Sequence, residues 1–274
     1  MQLLPVPNPF FGAACHLVPE TDSTMDEARR LADAGWPEGT VIAADSQTAG
    51  RGRFRDRAWI TEPGRDLAFT IILPAAACRT EGLPLRAGLA LHRAVQDYAG
   101  LSGARVLREL SIKWPNDLLS EGRKVAGILC EASGGRCYLG VGVNCGRPAG
   151  RGFRTKASGL AEELGAPVDR FRLLGLFLAR LAETLTEEAW PAEVSRRLWL
   201  LGRRARFRTG LSDPGTPGAR TLEGRVSGVS PRGELILETA CGAVSLASGE
   251  LSRAGRRGPE RLFLPGIDGG RDCR

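Results

Sequence analysis

The sequence predicts an α+β protein, in which a mixed, largely antiparallel sheet with helices is followed by a small C-terminal β-barrel. Two observations support this class. Short apolar runs are joined by turn residues, most clearly at Gly134 and Gly135, which form a hairpin signal between two strand candidates. After residue 200, short strand candidates are separated by Gly, Pro and Ser, which is the pattern of a small barrel. Hairpin-linked strands also argue against a parallel, Rossmann-type sheet.

The first half of the chain predicts a helix near its start and then the strands of the sheet. Residues 22–35 begin with a capping-box pair, Thr24 and Glu27, and end at Gly35, a natural helix stop. Apolar runs and breakers then predict strands at 41–44 and 67–73, a helix from Pro84 to about Tyr98, and strands at 110–114, 124–132 and 136–143.

The second half predicts three helices and then a separate small domain. Leucines recur at helical spacing within 169–187, and we assign this stripe to the core. Two other helices are predicted, near 158–164 and ending near Leu200. Barrel strands are predicted at 205–209, 221–227, 234–238 and 243–245. The resulting boundaries are a large domain at 1–200, a small barrel at 201–254 and a loose tail at 255–274.

Composition excludes several classes of protein. The 274 residues include 38 Lys and Arg against 31 Asp and Glu, a net charge of +7, and only three of the 38 are lysines: Lys113, Lys124 and Lys156. A nucleic-acid or membrane surface built from mixed Lys/Arg clusters is therefore not expected. The longest apolar stretch, at 67–78, is too short to span a bilayer.

The seven cysteines predict free thiols in a reducing cytoplasm. Their number is odd, none forms a Cys-x-x-Cys pair, and His16 and His92 are the only histidines. A zinc site is therefore not expected, and no residue is assigned to a metal.

Four short motifs are candidates for the chemistry, and the first is the run Gly-Arg-Gly-Arg at 50–53, preceded by Gln47. Glycines let backbone amides approach an anion closely, and the two arginines add fixed charge and forked donors. In isolation, the run is equally consistent with a solvated turn.

The other three motifs lie in the region of the later strands. Lys-Trp-Pro-Asn-Asp at 113–117 has a turn composition, apart from its lysine and tryptophan. Lys124 enters an apolar strand, either as a solvated edge residue or as a point charge aimed into a pocket, with Gly127 leaving room for a ligand. Gly-Val-Gly-Val-Asn at 140–144 removes side chains from one strand face, which invites a ligand there.

In order and content these motifs resemble biotin–protein ligases, the enzymes that attach biotin to carboxylases. Asp-Ser-Thr at 22–24 also matches the biotin-contact segment of this family. The resemblance covers residues 21–145 with strong motifs and continues weakly to the C-terminal region. It implies a catalytic domain like that of class II aminoacyl-tRNA synthetases and biotin synthetases, with an SH3-like barrel behind it.

The resemblance implies a two-step reaction. The carboxylate of biotin attacks the α-phosphate of ATP, which is accompanied by Mg²⁺, and gives biotinyl-AMP and pyrophosphate. A lysine of a biotin carboxyl carrier domain then attacks the mixed anhydride. Both partners in the first step are anions, so the site must neutralise them.

The implied roles fall on matching positions of this chain. Lys124 takes the place of the catalytic lysine, Arg53 assists it, and Asp117 is either an acceptor or orienter for the attacking amine or a turn residue. The residues assigned to biotin are Ser23, Thr24, Gln47, Gly50, Arg51, Arg53, Lys124, Gly127 and Gly140. Those assigned to ATP and the adenylate are Arg51, Gly52, Arg53, Trp59, Asn116, Lys124 and Asn144.

This sequence departs from the family pattern in two places. The family usually continues its loop as Gly-Arg-Gly-Arg-x-Gly-Arg-x-Trp, whereas here the third glycine is missing and one residue is added before Trp59. This leaves the roles of Arg55, Arg57 and Trp59 open. Met25 stands where the family commonly has asparagine.

The start of the chain bears on a further expectation. Bifunctional members of the family carry a helix-turn-helix domain ahead of the catalytic domain, and only 22 residues precede Ser23 here. We therefore expect a monofunctional ligase that binds no operator. Sheet-edge dimers occur in the family, and the sequence does not decide between a monomer and a homodimer.

Two alternatives remain at this point. A related acyl–protein ligase, for lipoate or another carboxylic acid, shares the fold and the adenylate chemistry but has different motifs. A basic nucleic-acid-binding module is the alternative of a different class. Against it, Asp56 and Glu62 interrupt the charge of the arginine run, and the few aromatic residues form no clustered stacking platform.

Overall fold

The computed structural model describes residues 1–53, 58–146, 157–209 and 220–254. Two predicted features lie outside these ranges: the part of the arginine loop that holds Arg55 and Arg57, and the tail at 255–274. Lys156 lies outside them as well.

The larger sheet is mixed and largely antiparallel, as the sequence predicts. Its strands are Gln2–Leu4 (β1), Cys15–Thr21 (β2), Val41–Gln47 (β3), Leu67–Pro74 (β4), Leu110–Lys113 (β5), Asp117–Ser120 (β6), Arg123–Ser133 (β7) and Arg136–Val143 (β8). Their spatial order is β1-β2-β3-β4-β8-β7-β6-β5. Only β2 and β3, among these neighbours, run parallel.

Three of these strands, β1, β2 and β6, were not predicted from the sequence. In β2, Pro19 interrupts the pairing with β3 and hides the strand period. Strand β6 begins at Asp117, the last residue of a Pro-Asn-Asp run that has the composition of a turn.

Helices pack on both faces of the larger sheet and supply much of the core. They are Thr24–Asp33 (α1), Leu83–Leu101 (α2), Leu160–Leu164 (α3), Arg170–Thr186 (α4) and Trp190–Arg196 (α5), with a 3-10 helix at Ala75–Arg79. Phe177 of α4 meets Phe69 of β4 edge to face, with ring centroids 5.3 Å apart. Leu174, Leu178 and Leu181 are fully buried, which confirms the core assignment of that stripe. In the described part of the chain, no helix is long and apolar enough to cross a membrane.

The cap of α1 differs from the prediction by one residue. Ser23, not Thr24, is the N-cap, and its hydroxyl accepts a hydrogen bond from the backbone N–H of Met25. The side chain of Glu27 pairs with Arg30 rather than closing a capping box. Thr24 is consequently released from capping and lies inside the molecule, at the first turn of α1.

The C-terminal region forms a second antiparallel sheet of Arg204–Thr209 (β9), Thr221–Val229 (β10), Leu235–Thr239 (β11), Gly242–Leu246 (β12) and Gly249–Arg253 (β13), of which β13 was not predicted. In the order β12-β11-β10-β9-β13, the two outer strands do not pair within the described residues, so the sheet is open. The closed SH3-like barrel and the domain boundaries therefore remain predictions. Trp114 joins the two sheets, because its indole N–H donates to the carbonyl of Gly233 at 2.9 Å.

The expectation that every cysteine is a free thiol is wrong. Cys78 and Cys137 form a disulfide, with Cα atoms 5.5 Å apart. The 3-10 helix that holds Cys78 follows β4 directly, and β4 pairs with β8 at Pro74 and Arg136, so residues 59 apart in sequence become neighbours. Cys15, Cys130 and Cys145 are free, and burial raises the pKa of each thiol, to about 11 for Cys15 and about 12 for the other two.

Candidate active site

A small pocket lies between the first turn of α1, the loop after β3, and strands β7 and β8. It encloses about 60 Å³. Its lining combines three cations, several neutral polar groups and an apolar floor: Ser23, Thr24, Met25, Gln47, Arg51, Gly52, Arg53, Trp59, Ala68, Asn116, Lys124, Gly127, Ile128, Leu129, Gly140, Val141 and Gly142. Segments far apart in sequence thus meet at one place on the larger sheet.

Glycines on β7 and β8 leave space that two side chains fill. A Cβ added at Gly142 would lie 2.3 Å from Cε2 of Trp59, and one at Gly140 would lie 3.0 Å from Sδ of Met25. Gly140 and Gly142 are two residues apart, so they share one face of β8. Because neither glycine has a side chain, this face has room for the indole of Trp59 and the thioether of Met25.

A β-bulge on β7 brings Lys124 to the pocket. Leu118 of β6 pairs with Ala126 and Leu119 pairs with Lys124, so Val125 is the extra residue on β7. In a regular strand, residues three apart point to opposite faces, which would separate Lys124 from Gly127. The bulge corrects this, and a Cβ at Gly127 would lie 2.9 Å from the Lys124 Nζ.

The Lys124 ammonium has two close partners. Its Nζ lies 2.6 Å from Oδ1 of Asp117, and it sits over the ring of Trp59 at 5.6 Å from the centroid. Asp117 is directly opposite Gly127 in the β6–β7 ladder, which places its carboxylate beside the bulge. An ion pair and a cation–π contact thus hold the amine in one position at the pocket wall.

The backbone of Lys124 is held from the other side by Asn144 and Ser158. The Lys124 carbonyl accepts from the Ser158 N–H at 2.9 Å and from the Asn144 amide at 3.2 Å. The same amide also donates to the Ser158 carbonyl. Ser158 in turn donates its hydroxyl to the fully buried Glu163, which pairs with Arg123, the neighbour of Lys124.

The two arginines of the glycine-rich loop are each engaged. Arg51 pairs with Asp26 of α1 at 2.8 Å, and Glu131 of β7 lies 3.8 Å away. Arg53 donates to the backbone carbonyl of Gly249, at the start of β13, at 2.6 Å. One arginine is therefore tied to the larger sheet's side of the pocket and the other to the C-terminal sheet.

Neutral hydrogen bonds organise the opposite end of the pocket. The backbone N–H of Thr24 donates to Oε1 of Gln47 at 2.9 Å, and the Gln47 amide donates to the hydroxyl of Thr61 at 3.2 Å. The Thr24 hydroxyl accepts from Thr70 of β4 at 2.9 Å. This end is uncharged and held by hydrogen bonds, whereas the end near Lys124 is cationic.

Two carboxyl groups beside the pocket have displaced pKa values. Burial raises the pKa of Asp66, although this carboxylate accepts hydrogen bonds from the backbone of Glu62, Cys145 and Gly146. Asp22 is exposed, and its hydrogen bond with Arg30 holds its pKa well below the usual range. Asp66 thereby ties the loop after Trp59 to the end of β8.

Of the residues assigned from the sequence, most line this pocket: Ser23, Thr24, Gln47, Arg51, Gly52, Arg53, Trp59, Asn116, Lys124, Gly127 and Gly140. Three do not. Asp117 contacts the Lys124 ammonium, and Asn144 contacts the Lys124 backbone carbonyl. Gly50 packs against the backbone of Trp59, whose carbonyl oxygen would lie 2.3 Å from a Cβ added at Gly50. Asn116 lines the pocket, and its side-chain amide donates a hydrogen bond to the Ile128 carbonyl.

Six residues that line the pocket were not predicted from the sequence: Met25, Ala68, Ile128, Leu129, Val141 and Gly142. Gly142 carried a usable signal, its alternation with Gly140. Lys113 and Trp114 belong to one of the four candidate motifs but lie outside the pocket. The Nζ of Lys113 lies 5.7 Å from the ring centroid of Trp199, and Trp114 is buried against Phe207.

Comparison with known proteins gives the family. The model of the Biotin/lipoate A/B protein ligase family matches residues 17–147, which include every residue that lines the pocket. The biotin–[acetyl-CoA-carboxylase] ligase of Paracoccus denitrificans is 32% identical over 254 residues, covering 86% of this chain and 98% of that protein. This chain belongs to the biotin/lipoate A/B protein ligase family.

Other members extend the comparison. A bifunctional ligase/repressor of Bacillus subtilis is 29% identical over 247 residues, covering 84% of this chain and 70% of that protein. The structure of a biotin protein ligase from Aquifex aeolicus in complex with biotin and ATP superimposes with a TM-score of 0.72 at 27% identity, covering 87% of this chain and 97% of that one. The family's α+β fold is therefore that of this chain.

Proposed function

We propose that this protein is a biotin–protein ligase, which activates biotin with ATP as biotinyl-AMP and transfers the biotinyl group to a lysine of a biotin carboxyl carrier domain. The observation that carries the proposal is the division of the pocket into a neutral end and a cationic end. Biotin has the same division, with an uncharged ring system at one end and a carboxylate at the other.

The proposed binding mode follows from this match. The ring system lies against Ser23, Thr24 and Gln47, with the backbone near Gly50, Gly127 and Gly140 around it. The carboxylate points to Lys124, Arg51 and Arg53. The nucleotide lies beyond the carboxylate, near Gly52, Trp59, Asn116 and Asn144, so that the two reacting anions meet at the cations.

In the first step, an oxygen of the biotin carboxylate attacks the α-phosphorus of ATP, and the bond to pyrophosphate breaks. Lys124 neutralises charge on the phosphoryl oxygens, and such a fixed cation contributes about 3–4 kcal/mol to lowering the barrier. The ion pair with Asp117 and the contact with Trp59 keep its ammonium in place, so no reorganisation is needed at the moment of reaction.

In the second step, the acceptor amine attacks the carbonyl of the mixed anhydride, and AMP leaves. The amine must first lose a proton, because a free lysine has a pKa of about 10.4. The geometry supports a role for Asp117 in orienting Lys124 rather than in acting on the acceptor amine, since its carboxylate is bound to Lys124 and does not line the pocket. Asp117 is therefore proposed as a positioning residue.

The remaining partners are part of the same proposal. Mg²⁺ enters with ATP as the counter-ion of its phosphates, and no group of three or more His, Cys, Asp or Glu among the described residues is placed to hold it. We also propose that the ligase works in the cytoplasm, where the Cys78–Cys137 disulfide is unusual because the compartment is reducing. The C-terminal sheet, proposed to close as an SH3-like barrel, supplies the Gly249 carbonyl to Arg53.

The test is a mass measurement. The protein is incubated with ATP, a carrier domain and one acid at a time, either biotin or lipoate. We expect the carrier to gain the mass of a biotinyl group and to gain nothing from lipoate. Absence of biotin-dependent pyrophosphate release from folded protein would end the proposal, and a gain from lipoate alone would replace it with a lipoate–protein ligase.

A further inference from the structure

We propose that Met25 sets the depth of the acid-binding pocket and thereby determines which ring systems the enzyme accepts. This inference rests on the proposed function and adds a residue that selects the substrate. Met25 is the second residue of α1, directly after the two polar residues that form the neutral end of the pocket.

The side chain of Met25 fills the inner end of the pocket. It is 4% exposed and faces Gly140 of β8, where an added Cβ would lie 3.0 Å from its Sδ and 3.1 Å from its Cγ. The glycine thus permits the methionine to reach the sheet. Because the two contact each other, the pocket ends at Met25.

Packing behind Met25 prevents it from moving aside. It belongs to a compact apolar cluster that is separate from the main core, with Val18, Ala28, Ile42, Ala44, Ile72 and Tyr138. A larger ring system therefore cannot be accommodated by displacing Met25 into a void. It must instead displace buried neighbours, which protein interiors resist.

Charge determines which end of the acid meets Met25. Lys124, Arg51 and Arg53 attract the carboxylate, so the uncharged ring end turns toward Thr24 and Met25. Selection by Met25 consequently acts on the size of the ring system. The substrate class that it admits is a carboxylic acid with a compact, neutral bicyclic head.

The experiment compares biotin with a biotin analogue that carries one propyl group on a ureido nitrogen. Initial rates of pyrophosphate release give kcat/KM for each acid, and the ratio of the two values is the discrimination. In the Met25→Ala variant, we expect the discrimination against the analogue to fall at least about tenfold, the scale on which an apolar pocket discriminates size. Met25→Leu, which preserves volume, should keep it.

Two further variants separate selection from general damage. Leu31→Ala removes an apolar side chain from the same helix and the edge of the same cluster, but Leu31 does not line the pocket, so its discrimination should match the wild type. Gly140→Ala should raise KM for biotin in the wild type, and much less in the Met25→Ala background, where the added methyl group has room.

An unchanged ratio in Met25→Ala, or an equal loss in Leu31→Ala, would overturn the inference. If circular dichroism shows that Met25→Ala is unfolded, the Gly140→Ala variant decides alone. An unchanged KM for biotin in Gly140→Ala would then show that Met25 does not limit the pocket at Gly140, and would overturn the inference. Failure of the wild type itself to release pyrophosphate with biotin would instead refute the proposed function.

Discussion

The two ends of the pocket are built in different ways. At the neutral end, Thr24, Gln47, Thr61 and Thr70 hydrogen-bond one another, and Thr24 and Thr70 are almost fully buried. At the cationic end, every cation has a partner that a ligand anion can replace or extend. Arg51 is paired with Asp26, which lies on the outer side of the pocket, and its guanidinium is partly exposed.

This difference suits a substrate that has one neutral end and one charged end. The neutral end is already hydrogen-bonded without a ligand, so we expect the proposed ring system to bind there with little rearrangement of these side chains. At the cationic end, Lys124 and Arg51 are held in ion pairs and Arg53 is held by a backbone carbonyl, so these cations keep partners when no substrate is present. Binding of the two anions must then exchange at least the Arg51–Asp26 pair. Variants at each end should therefore fail in different ways.

The largest effect is expected for Lys124→Ala, at the cationic end. Loss of the fixed cation should lower the rate of biotinyl-AMP formation by about 10²- to 10³-fold. Single-turnover pyrophosphate release measures it. Lys113→Ala is the matched control, because Lys113 lies outside the pocket. A near-normal single-turnover rate in Lys124→Ala would show that another group neutralises the phosphoryl charge.

A smaller effect is expected for Asp117→Asn, which keeps the shape of the side chain and removes the ion pair with Lys124. A hydrogen bond to a charged group is worth about 1.5–3 kcal/mol, so we expect rates to fall about 10- to 100-fold. A positioning residue for Lys124 should slow adenylate formation as well as transfer. If only transfer from preformed biotinyl-AMP slows, Asp117 acts on the acceptor amine instead.

At the neutral end, Gln47→Ala should raise KM for biotin about tenfold with little change in kcat. The substitution leaves the Thr24 N–H without its acceptor, and an unpaired buried donor costs about 1–3 kcal/mol. Steady-state kinetics with biotin as the varied substrate gives both constants. A drop in kcat with unchanged KM would contradict the division of the pocket into a binding end and a reacting end.

The smallest effect is expected for Asp26→Asn. This variant removes the surrogate partner of Arg51, and partly exposed ion pairs are worth about 0.2–1 kcal/mol. The KM for ATP should therefore fall about two- to fivefold at low ionic strength, and the difference should shrink as salt is added. A rise in KM would mean that Asp26 holds Arg51 in its working position.

Local patterns in the sequence predicted much of this molecule. The hairpin of β7 and β8 and the helices α2 and α4 follow from turn residues and periodicity, and the resemblance to a known family identified most of the residues that converge on the pocket. Pairings between distant segments were not predictable in this way. The parallel strand β2, the disulfide of Cys78 and Cys137, and the contact of Arg53 with Gly249 depend on which segments meet in space.

Strand alternation was also misleading at the most important position. Lys124 and Gly127 are three residues apart, which in a regular strand predicts opposite faces. Only the extra residue at Val125 brings them together, and a bulge has no signature in this stretch of sequence. Motif resemblance identified both residues, whereas the period of the strand alone would have separated them.

The hydrogen bonds between Asn144 and Ser158 have a consequence for how such an enzyme can change over evolution. They join the two ends of the intervening stretch, and both residues also bind the Lys124 carbonyl. Once the ends of a loop are fixed, doubling its length costs only about 0.6 kcal/mol of closure entropy. A change in the number of residues between these two anchors should therefore cost little, because the anchors themselves hold the Lys124 backbone.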